Sequence, residues 1–433
     1  TNLLSYLCLN ANRHIQLHQP NFTVRLHAGT PQKFLDQVVN SIACGNGMPQ
    51  LLNDDCIVPS LVEHGIPVRE ARDYIAVGCD EISVHGHWAR CNGGYINMAK
   101  VLELTLGNGT DLKSGVSMFQ PDGEEPEFFN QLMDRFHSYF RQGIALQVEE
   151  ANITDGIHKE LLPLPFISLF LDDCITNGRD CTDSGAHYNT TGLVAVGTAT
   201  VADSLEAVRQ LVYRDQKLPL TELVQILKEN FQGREPLRQF ILNRVPKFGN
   251  DVDRVDTLAV EITDMFANEL EQYKNSRGGQ FWPALYSVSA QVGLGNVCGA
   301  TPDGRLAEQP LSDGLTPMYG MDRNGPTAAL TSLSKIHHRR FPNGIIINQR
   351  MTGSLFSTEE GRLKMTQLLR AFVALGCFHW QFNIVDNSVL LAAQKDPDSY
   401  RGLVVRVAGY SAIFVELSVK AQNSIIERYA ADL

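Results

Sequence analysis

Apolar runs long enough to cross a membrane are missing from this sequence. Charged residues interrupt every apolar stretch well before the roughly 18–20 residues that a transmembrane helix needs. The first residues, from Thr1 to Leu7, lack the basic segment that opens a secretory signal peptide, and no cleavage pattern follows them. The sequence therefore predicts a protein that does not use a membrane as a partner.

Paired cysteines are missing as well. The nine cysteines, spread from Cys8 to Cys377, include no Cys-x-x-Cys pair, and their spacing fits neither a zinc site nor a disulfide framework. A chain of 433 residues buries a core without disulfides, so reduced thiols in the cytoplasm are the simplest interpretation, and no metal site is expected.

Basic residues are fewer than acidic ones. The net charge of −11 argues against broad electrostatic binding of nucleic acid or anionic membrane.

What is present is an ordinary globular composition, with 43% apolar and 20% charged residues. The length suggests two or three average domains, or one large domain of α/β barrel type. The chain has no initiator methionine and opens within an apolar segment. We therefore expect it to be the C-terminal part of a longer protein.

Short apolar strands alternate with helical patterns along the chain, and we expect α/β architecture with strands buried on both faces. The predicted strands include residues 74–77, 344–348 and 382–385. The predicted helices include residues 95–106, 128–140, 252–266 and 358–375. Loops are expected at residues 228–246 and 293–326, the first because it is charged and the second because it is dense in glycine and proline.

The run Val404-Val405-Arg406-Val407 near the C-terminus leads into a turn of small residues around Gly409. A second apolar run, Ile413-Phe414-Val415, follows that turn. This pattern predicts a buried finger made of a strand, a tight tip and a return strand. A glycine at the tip lets the backbone approach another segment closely, although an ordinary hairpin turn also explains it.

A second notable segment is Val77-Gly78-Cys79-Asp80-Glu81, which follows an apolar strand. Barrels of the α/β type place reactive groups in loops at strand ends, so this loop offers a sulfur and a carboxylate together. The alternatives are a cysteine that packs as a small apolar residue and a glutamate that caps a backbone or forms an ion pair.

These two segments belong to an ordered series of motifs. The others include Gly185-Ala186-His187-Tyr188-Asn189, Phe248-Gly249-Asn250-Asp251, Gly299-Ala300-Thr301-Pro302-Asp303-Gly304-Arg305, and His379-Trp380-Gln381-Phe382-Asn383. In this order the series resembles the glycyl radical enzymes of pyruvate formate-lyase-like type, over almost the whole chain. The resemblance implies a ten-stranded α/β barrel, of which this chain supplies a part, with the Cys loop and the Gly loop meeting inside. It also implies two domains: residues 1–300 as the C-terminal part of the barrel domain and residues 301–433 as the glycine radical domain.

The resemblance further implies that Gly409 stores a radical, that Cys79 becomes a thiyl radical, and that Glu81 serves as general base. A glycyl radical is stabilised because its α-carbon lies between an amide nitrogen and a carbonyl, so its Cα–H bond is about as weak as a thiol S–H bond. Hydrogen-atom transfer between glycine and cysteine is then reversible, and the thiyl radical can abstract a hydrogen atom from an unactivated substrate carbon. The protein has to position these atoms and to exclude water and oxygen.

The sequence around Cys79 narrows the reaction. Pyruvate formate-lyases carry two adjacent cysteines there, whereas Asp80 follows Cys79 in this chain, so formate C-acetyltransferase activity is disfavoured. A dehydratase or eliminase-type lyase that cleaves a C–X or C–C bond of a small substrate is the predicted function. Well-known dehydratases have proline where this chain has Ile82 and aspartate where it has Asn92. Since asparagine cannot accept a hydrogen bond as an anion, diol or choline specificity is disfavoured, and an arylacetate-type decarboxylase is the alternative.

Substrate contacts are predicted for His85, Asn92 and Tyr188, with a surface or purely structural position as the alternative for each. The resemblance implies that the chain binds no cofactor itself. A separate radical activating enzyme, using an iron–sulfur cluster and S-adenosylmethionine, would install the radical on Gly409. A homodimer in an anaerobic cytoplasm is also implied.

Two other interpretations stay open at this stage. The chain could be a truncated, catalytically incomplete relative that acts as a binding or assembly partner. It could also be an ordinary thiol hydrolase that uses a Cys79 thiolate and a histidine base, although this leaves the C-terminal finger unexplained.

Overall fold

The structure, a computed structural model, describes residues 1–17, 19–78, 81–385, 387–407 and 410–429. Its strands are β1 Thr23–Leu26, β2 Gln50–Asn53, β3 Ile75–Val77, β4 Glu81–Ser83, β5 His87–Asn97, β6 Tyr188–Val196, β7 Phe281–Ala284, β8 Asn348–Arg350, β9 His379–Asn383, β10 Val404–Arg406 and β11 Ser411–Ile413. Its helices are α1 Leu3–Ile15, α2 Gln32–Ile42, α3 Asp54–Glu63, α4 Val68–Ala71, α5 Met98–Leu106, α6 Phe129–Leu161, α7 Pro165–Ser168, α8 Cys174–Asn177, α9 Thr198–Val208, α10 Leu220–Lys228, α11 Glu235–Arg244, α12 Asp253–Leu270, α13 Ala290–Asn296, α14 Gly325–Ser334, α15 Glu359–Ala374, α16 Asn387–Lys395 and α17 Val419–Tyr429.

Seven strands form one hydrogen-bonded series. One sheet has the order β1-β2-β9-β8 and another the order β5-β6-β7, and a parallel bridge between Leu285 and Ile345 joins them. Neighbouring strands are parallel except for β2 and β9, which are antiparallel. Helices cover this mixed series of strands, and the series positions the loops of the candidate site.

The centre of the fold is β6 and the helix that follows it. From Thr190 to Val196 every residue of β6 is buried, as expected for a strand with parallel neighbours on both sides and helices on its faces. A turn at Gly197, where φ is +98°, leads into α9, and all residues of α9 are buried. The main apolar core surrounds these two elements.

A second, smaller apolar core lies beneath the C-terminal hairpin. It contains Leu390 and Ala393 of α16, Val405 of β10 and Ile425 of α17, together with Val407 and Phe414. Because the β10–β11 hairpin packs on this cluster and not on the main core, its position relative to β2 and β9 depends on contacts between the two cores.

Several predicted elements are confirmed, with shifted bounds. The finger is the antiparallel hairpin of β10 and β11, with Val404 opposite Ile413. The apolar stripes at helical spacing correspond to α6 and α12, and the helix predicted at 358–375 is α15. The strand predicted at 382–385 starts earlier, as β9, and the one predicted at 344–348 is ordered as a strand only from Asn348. Most of residues 293–326 is indeed loop, between α13 and α14.

Two predictions were wrong. The helix predicted from residue 95 begins at Met98, because Tyr95, Ile96 and Asn97 pair with β6 as the end of β5. The Asn97 side chain then accepts a hydrogen bond from the Lys100 N–H and caps α5. The loop predicted at 228–246 contains α11, which docks through a fully buried Ile241 and was hidden by its charged composition.

Within the described residues, no helix combines the length and the apolar character needed to cross a membrane. The eight cysteines in this part of the chain are all free thiols.

Asp203 is a fully buried carboxyl group in the middle of α9. Its Oδ1 accepts a hydrogen bond of 2.7 Å from the Phe248 N–H, whereas its Oδ2 has no hydrogen-bond partner among the described residues. Burial raises the pKa of Asp203 to about 8, although the charge of Lys247 opposes that shift. The carboxyl group is therefore largely protonated in the folded state below neutral pH.

Asp203 predicts a pH dependence of stability. The folded-state pKa of Asp203 lies above the ordinary value of 3.8. Its contribution to the free energy of unfolding is therefore complete below pH 4 and is lost as the pH rises through about 8. Asp203→Asn keeps an acceptor for the Phe248 N–H but cannot ionise. We expect the Tm of the wild type to fall more steeply than that of the variant between pH 5 and 8.5, as measured by circular dichroism. Asp398→Asn, at an exposed position, is the matched control, and parallel Tm curves for wild type and Asp203→Asn would contradict the assignment.

Candidate active site

The two residues predicted to carry the chemistry, Cys79 and Gly409, lie outside the described residues. The segments on either side of each are described, and they show how the two loops are mounted. On one side stand Gly78 and Glu81, and on the other stand Val407 and Tyr410.

The Cys79 segment connects two short antiparallel strands. Strand β3 pairs with β4 so that Val77 lies opposite Glu81. The sequence predicted β3 but missed β4, since a three-residue strand after a turn has no periodic signal of its own. Gly78, with φ of +57°, has a backbone conformation that favours glycine.

The base of this hairpin is anchored to the sheet by an ion pair. Arg25 of β1 donates two hydrogen bonds to the Asp54 carboxylate, at 2.8 and 3.0 Å, and its guanidinium lies 3.9 Å from the centre of the Tyr74 ring. The Tyr74 hydroxyl donates to the same carboxylate at 2.7 Å. Since Tyr74 immediately precedes β3, this cluster fixes where the hairpin leaves the body of the protein.

A buried histidine holds β4 from the other side. The two ring nitrogens of His87 lie 3.3 Å from the Ser83 hydroxyl and 2.7 Å from the Thr190 hydroxyl, so the ring links β4 to β6. Burial, with a smaller effect from the charge of Arg277, lowers the pKa of His87 to about 4. His87 is thus a neutral, structural hydrogen-bonding group at physiological pH.

Glu81 is buried and turned back over the hairpin. An ideal Cβ placed on Gly78 would lie 3.1 Å from Glu81 Oε2, so the carboxylate rests on the backbone that precedes Cys79. Asn92 Nδ2 donates to Glu81 Oε1 at 3.4 Å. The structure therefore brings two of the predicted site residues, Glu81 and Asn92, into contact.

The groups around Glu81 stay protonated. Burial raises the pKa of the Cys91 thiol to about 12, and the negative charge of Glu81 adds to the effect. Burial also raises the pKa of Tyr286 well above its usual value, and the negative charge of Glu81 is the second cause of that shift. Glu81 therefore lies in a cluster whose other acidic groups, Cys91 and Tyr286, are neutral.

Tyr286 and Asn343 shape the bulge that presents Asn92. The β5–β6 register shifts between Arg90 and Gly94. The Tyr286 hydroxyl and Asn343 Nδ2 both donate to the Cys91 carbonyl, at 3.1 and 2.9 Å. Neither residue was predicted from the sequence, although Tyr286 follows β7 at a strand end, where such groups are expected.

The hairpin of β10 and β11, which we call the glycine hairpin, is held by Arg406, a cation that is only 1% exposed. Its Nε donates to Gln381 Oε1 at 2.6 Å, its Nη1 to Ser411 Oγ at 3.2 Å, and its Nη2 to Gln50 Oε1. The Arg406 N–H donates to Asn383 Oδ1 at 3.2 Å. The guanidinium thus joins both strands of the hairpin to β2 and β9.

Asn21 connects the two loops. Its Oδ1 accepts a hydrogen bond of 2.9 Å from Arg406 Nη1, and its Nδ2 donates to the Gly78 carbonyl at 2.6 Å. Gly78 immediately precedes Cys79, and Arg406 lies three residues before Gly409. The described flanks of the two predicted reactive residues therefore meet at a single side-chain amide.

A chain of polar side chains continues from Arg406 into the core. Gln381 Nε2 donates to Asn348 Oδ1, Asn348 Nδ2 donates to Asp313 Oδ2, and the Ser287 hydroxyl donates to Asp313 Oδ1. Asn348 also lines a cavity of about 450 Å³, together with Asn383, Arg350 and Asp322. This cavity adjoins the anchor of the glycine hairpin.

The other two residues predicted to contact substrate, His85 and Tyr188, face acidic groups other than Glu81. The His85 side chain is 73% exposed and faces Asp172 at 3.8 Å. The Tyr188 hydroxyl donates to Glu70 Oε2 at 2.7 Å, and burial, reinforced by Glu70, raises the pKa of Tyr188 to about 12. A role for His85, Asn92 or Tyr188 in substrate binding stays a prediction.

The carboxylates of Asp251, Asp253 and Asp256 converge as metal ligands could. The ammonium group of Lys335 lies 2.8–2.9 Å from one oxygen of each, so a protein cation already occupies the centre of this group.

Comparison with known proteins gives matches over nearly the whole chain. Residues 1–295 match a family described as pyruvate formate lyase-like, and residues 311–415 match one described as glycine radical. The probable dehydratase YbiW of Escherichia coli strain K12 is 38% identical, with 99% of this chain and 55% of that protein aligned. The (2S)-3-sulfopropanediol dehydratase of Klebsiella oxytoca is 34% identical, with 99% and 53% aligned.

A solved structure gives the same result. The glycerol-bound, B12-independent glycerol dehydratase of Clostridium butyricum superposes with a TM-score of 0.95 at 38% identity, over 99% of this chain and 55% of that one. The likeness confirms the predicted α/β fold class. The chain spans about half the length of the curated relatives that it matches, and the predicted division at residues 300 and 301 stays a prediction.

Arg406→Lys is expected to loosen the glycine hairpin. A lysine has one donor atom and cannot bond Gln381, Gln50, Asn21 and Ser411 together, so several of these polar groups lose a partner. We expect amide hydrogen exchange in β10 and β11 to accelerate by roughly 10- to 100-fold. Arg401→Lys, in an exposed ion pair with Asp398, is the control. Unchanged exchange in the Arg406 variant would show that the guanidinium does not hold the hairpin.

Proposed function

The chain belongs to the pyruvate formate lyase-like family of glycyl radical enzymes, and on that basis we propose that it is the catalytic part of a glycyl radical lyase of the dehydratase type. In this proposal Gly409 stores the radical, Cys79 transfers it to the substrate, and Glu81 moves a proton. The observation that carries the proposal is the link through Asn21, since it joins the segment before Cys79 to the hairpin that contains Gly409.

The proposed reaction begins with hydrogen-atom transfer. The Cys79 S–H bond breaks and a Cα–H bond forms at Gly409, which leaves a thiyl radical on Cys79. The thiyl radical then takes a hydrogen atom from a substrate carbon that carries a hydroxyl group. Each of these steps transfers a hydrogen atom and moves no net charge. The position of the reacting atoms therefore matters more than the stabilisation of charge.

The second half of the reaction is proton transfer. Glu81 accepts the proton of the substrate hydroxyl while the C–O bond on the adjacent carbon breaks with its electron pair. The departing hydroxide receives a proton from Glu81 and leaves as water. The resulting carbonyl-stabilised radical recovers a hydrogen atom from the Cys79 thiol, which restores the thiyl radical.

Glu81 suits this role because it is the carboxylic acid of a cluster whose other acidic groups are a thiol and a phenol. Its acidic neighbours, Cys91 and Tyr286, have raised pKa values and remain protonated. The Asn92 amide donates to one of its oxygens and so orients the carboxylate. A base held in one orientation near the predicted thiyl radical meets the geometric demand of general base catalysis.

The proposal includes partners. A glycyl radical in this family is formed after translation by a separate activating enzyme, and we propose that the enzyme uses an iron–sulfur cluster and S-adenosylmethionine. A small polar substrate with adjacent hydroxyl and leaving groups fits the chemistry above. A homodimer in an anaerobic cytoplasm is part of the same proposal.

Electron paramagnetic resonance tests the radical assignment. After anaerobic activation, we expect a doublet from the remaining α-hydrogen of Gly409. Gly409→Ala should abolish this signal, whereas Cys79→Ser should keep it and lose all turnover. Small diols, sulfonates, hydroxyproline and arylacetates are the substrates to screen. Turnover by either variant would rule out the radical relay, and turnover of arylacetates alone would favour decarboxylation.

Glu81→Gln separates proton transfer from radical formation. Glutamine keeps an acceptor oxygen for Asn92 but cannot take up a proton at neutral pH, so we expect the radical yield to stay unchanged. Turnover should fall by roughly 10²- to 10⁴-fold, the usual effect of losing a general base. Glu360→Gln, an exposed change of the same kind, serves as the control. Full activity of Glu81→Gln would assign the base to another group.

A further inference from the structure

We propose that Asn21 is a positioning residue for hydrogen-atom transfer between Gly409 and Cys79, a role that rests on the function proposed above. One amide group sets the distance between the two loops, because it hydrogen-bonds a described neighbour of each.

The chemistry of the two partners fixes the orientation of the amide. A guanidinium only donates hydrogen bonds and a carbonyl only accepts them. Asn21 therefore has to direct Oδ1 towards Arg406 and Nδ2 towards the Gly78 carbonyl, as observed at 2.9 and 2.6 Å. No other assignment of the amide satisfies both partners.

Asn21 is itself held in place on both sides. It precedes β1 by two residues, and β1 is paired with β2 along its whole length. The guanidinium that it contacts is bonded to Gln50 of β2 and Gln381 of β9. The position of the Asn21 amide is therefore set by the sheet and transmitted to Gly78.

The hairpins that Asn21 links belong to different apolar cores. The Cys79 hairpin packs through Ile82 and Val84 on the main core, whereas the Gly409 hairpin packs on the small cluster around Val405 and Phe414. Apolar packing within each core does not define how the two hairpins are placed relative to each other. The polar contacts of Asn21 and Arg406 at the junction supply that definition.

Hydrogen-atom transfer is sensitive to such spacing. Reacting atoms have to approach to about 3–3.5 Å, and a misplacement of about 1 Å can reduce a rate by roughly 100-fold. If the Gly78 carbonyl loses its donor, Cys79 is freed to shift by this amount while both cores stay folded. The expected effect is a slower transfer with normal radical formation.

The transfer can be measured without knowing the substrate. A thiol exchanges its proton with solvent, so in D₂O reversible transfer carries deuterium from Cys79 to the Gly409 α-carbon. The electron paramagnetic resonance doublet then collapses to a singlet. The rate of collapse reports the transfer alone, and the Cys79→Ser variant should show no collapse.

Two variants of Asn21 test the proposal in the activated protein. Asn21→Asp keeps the acceptor for Arg406 but removes the donor to Gly78, and Asn21→Ala removes both. We expect the doublet in each to reach the wild-type intensity and to collapse roughly 100-fold more slowly. Asn10→Asp, at an exposed position on α1, is the matched control and should collapse at the wild-type rate.

The outcomes separate this inference from the proposed function. A wild-type rate of collapse in Asn21→Asp, or a loss of signal intensity in its place, would overturn the positioning role, as would the absence of collapse in the wild-type protein. None of these results would affect the assignment of the radical to Gly409. The absence of any doublet in the activated wild type would instead refute the proposed function.

Discussion

The buried guanidinium of Arg406 is the constraint on which the geometry of the candidate site depends. A cation removed from water is costly unless its donors are satisfied, and removing its partners costs more than the bonds themselves contribute. The acceptors come from residues far apart in sequence, Asn21, Gln50, Gln381 and Ser411. Each of these segments has to reach its place for the charge to be tolerated, so one side chain ties the start of β1, β2, β9 and the glycine hairpin together.

The same constraint explains features of the surrounding backbone. Gly47 has a φ of +73°, and an ideal Cβ at this position would lie 2.8 Å from Arg406 Cβ, so no larger residue fits where the loop before β2 passes the arginine. Arg406 also affects His379. Burial, and next the positive charge of Arg406, lower the pKa of His379 well below its usual value. A neutral His379 accepts a hydrogen bond from the Ile347 N–H and so aligns β9 with the segment before β8. The side chains named as its hydrogen-bond partners are all neutral polar groups.

The two segments predicted to be reactive could be found from the sequence because each has a local signature. Strand β3 and the β10–β11 hairpin are apolar runs that end at glycine, and Glu81 is close to Cys79 in sequence. The partners that hold these segments are not local: Asn21 and Gln50 lie more than 350 residues from Arg406, and an isolated asparagine or glutamine has no pattern that distinguishes a buried acceptor from a surface residue. Helix α11 was missed for a similar reason, since its docking through Ile241 is a tertiary contact that its charged sequence conceals. Periodicity therefore predicts elements, whereas the site depends on long-range polar contacts.

The proposed reaction has two kinds of chemistry, and the residues proposed for each lie on different sides of Gly78. On the Arg406 side the four named side-chain acceptors, which align the two hairpins, are three amides and a hydroxyl, and none of them titrates in the physiological range. Hydrogen-atom transfer moves no net charge and needs only that alignment. On the other side Glu81, the proposed general base, lies among Asn92, Cys91 and Tyr286. Gly78 stands between the two, with the Asn21 amide on its carbonyl and the Glu81 carboxylate over its α-carbon. In the proposed reaction, a shift of Gly78 would disturb both steps, because contacts on both sides of its backbone would change.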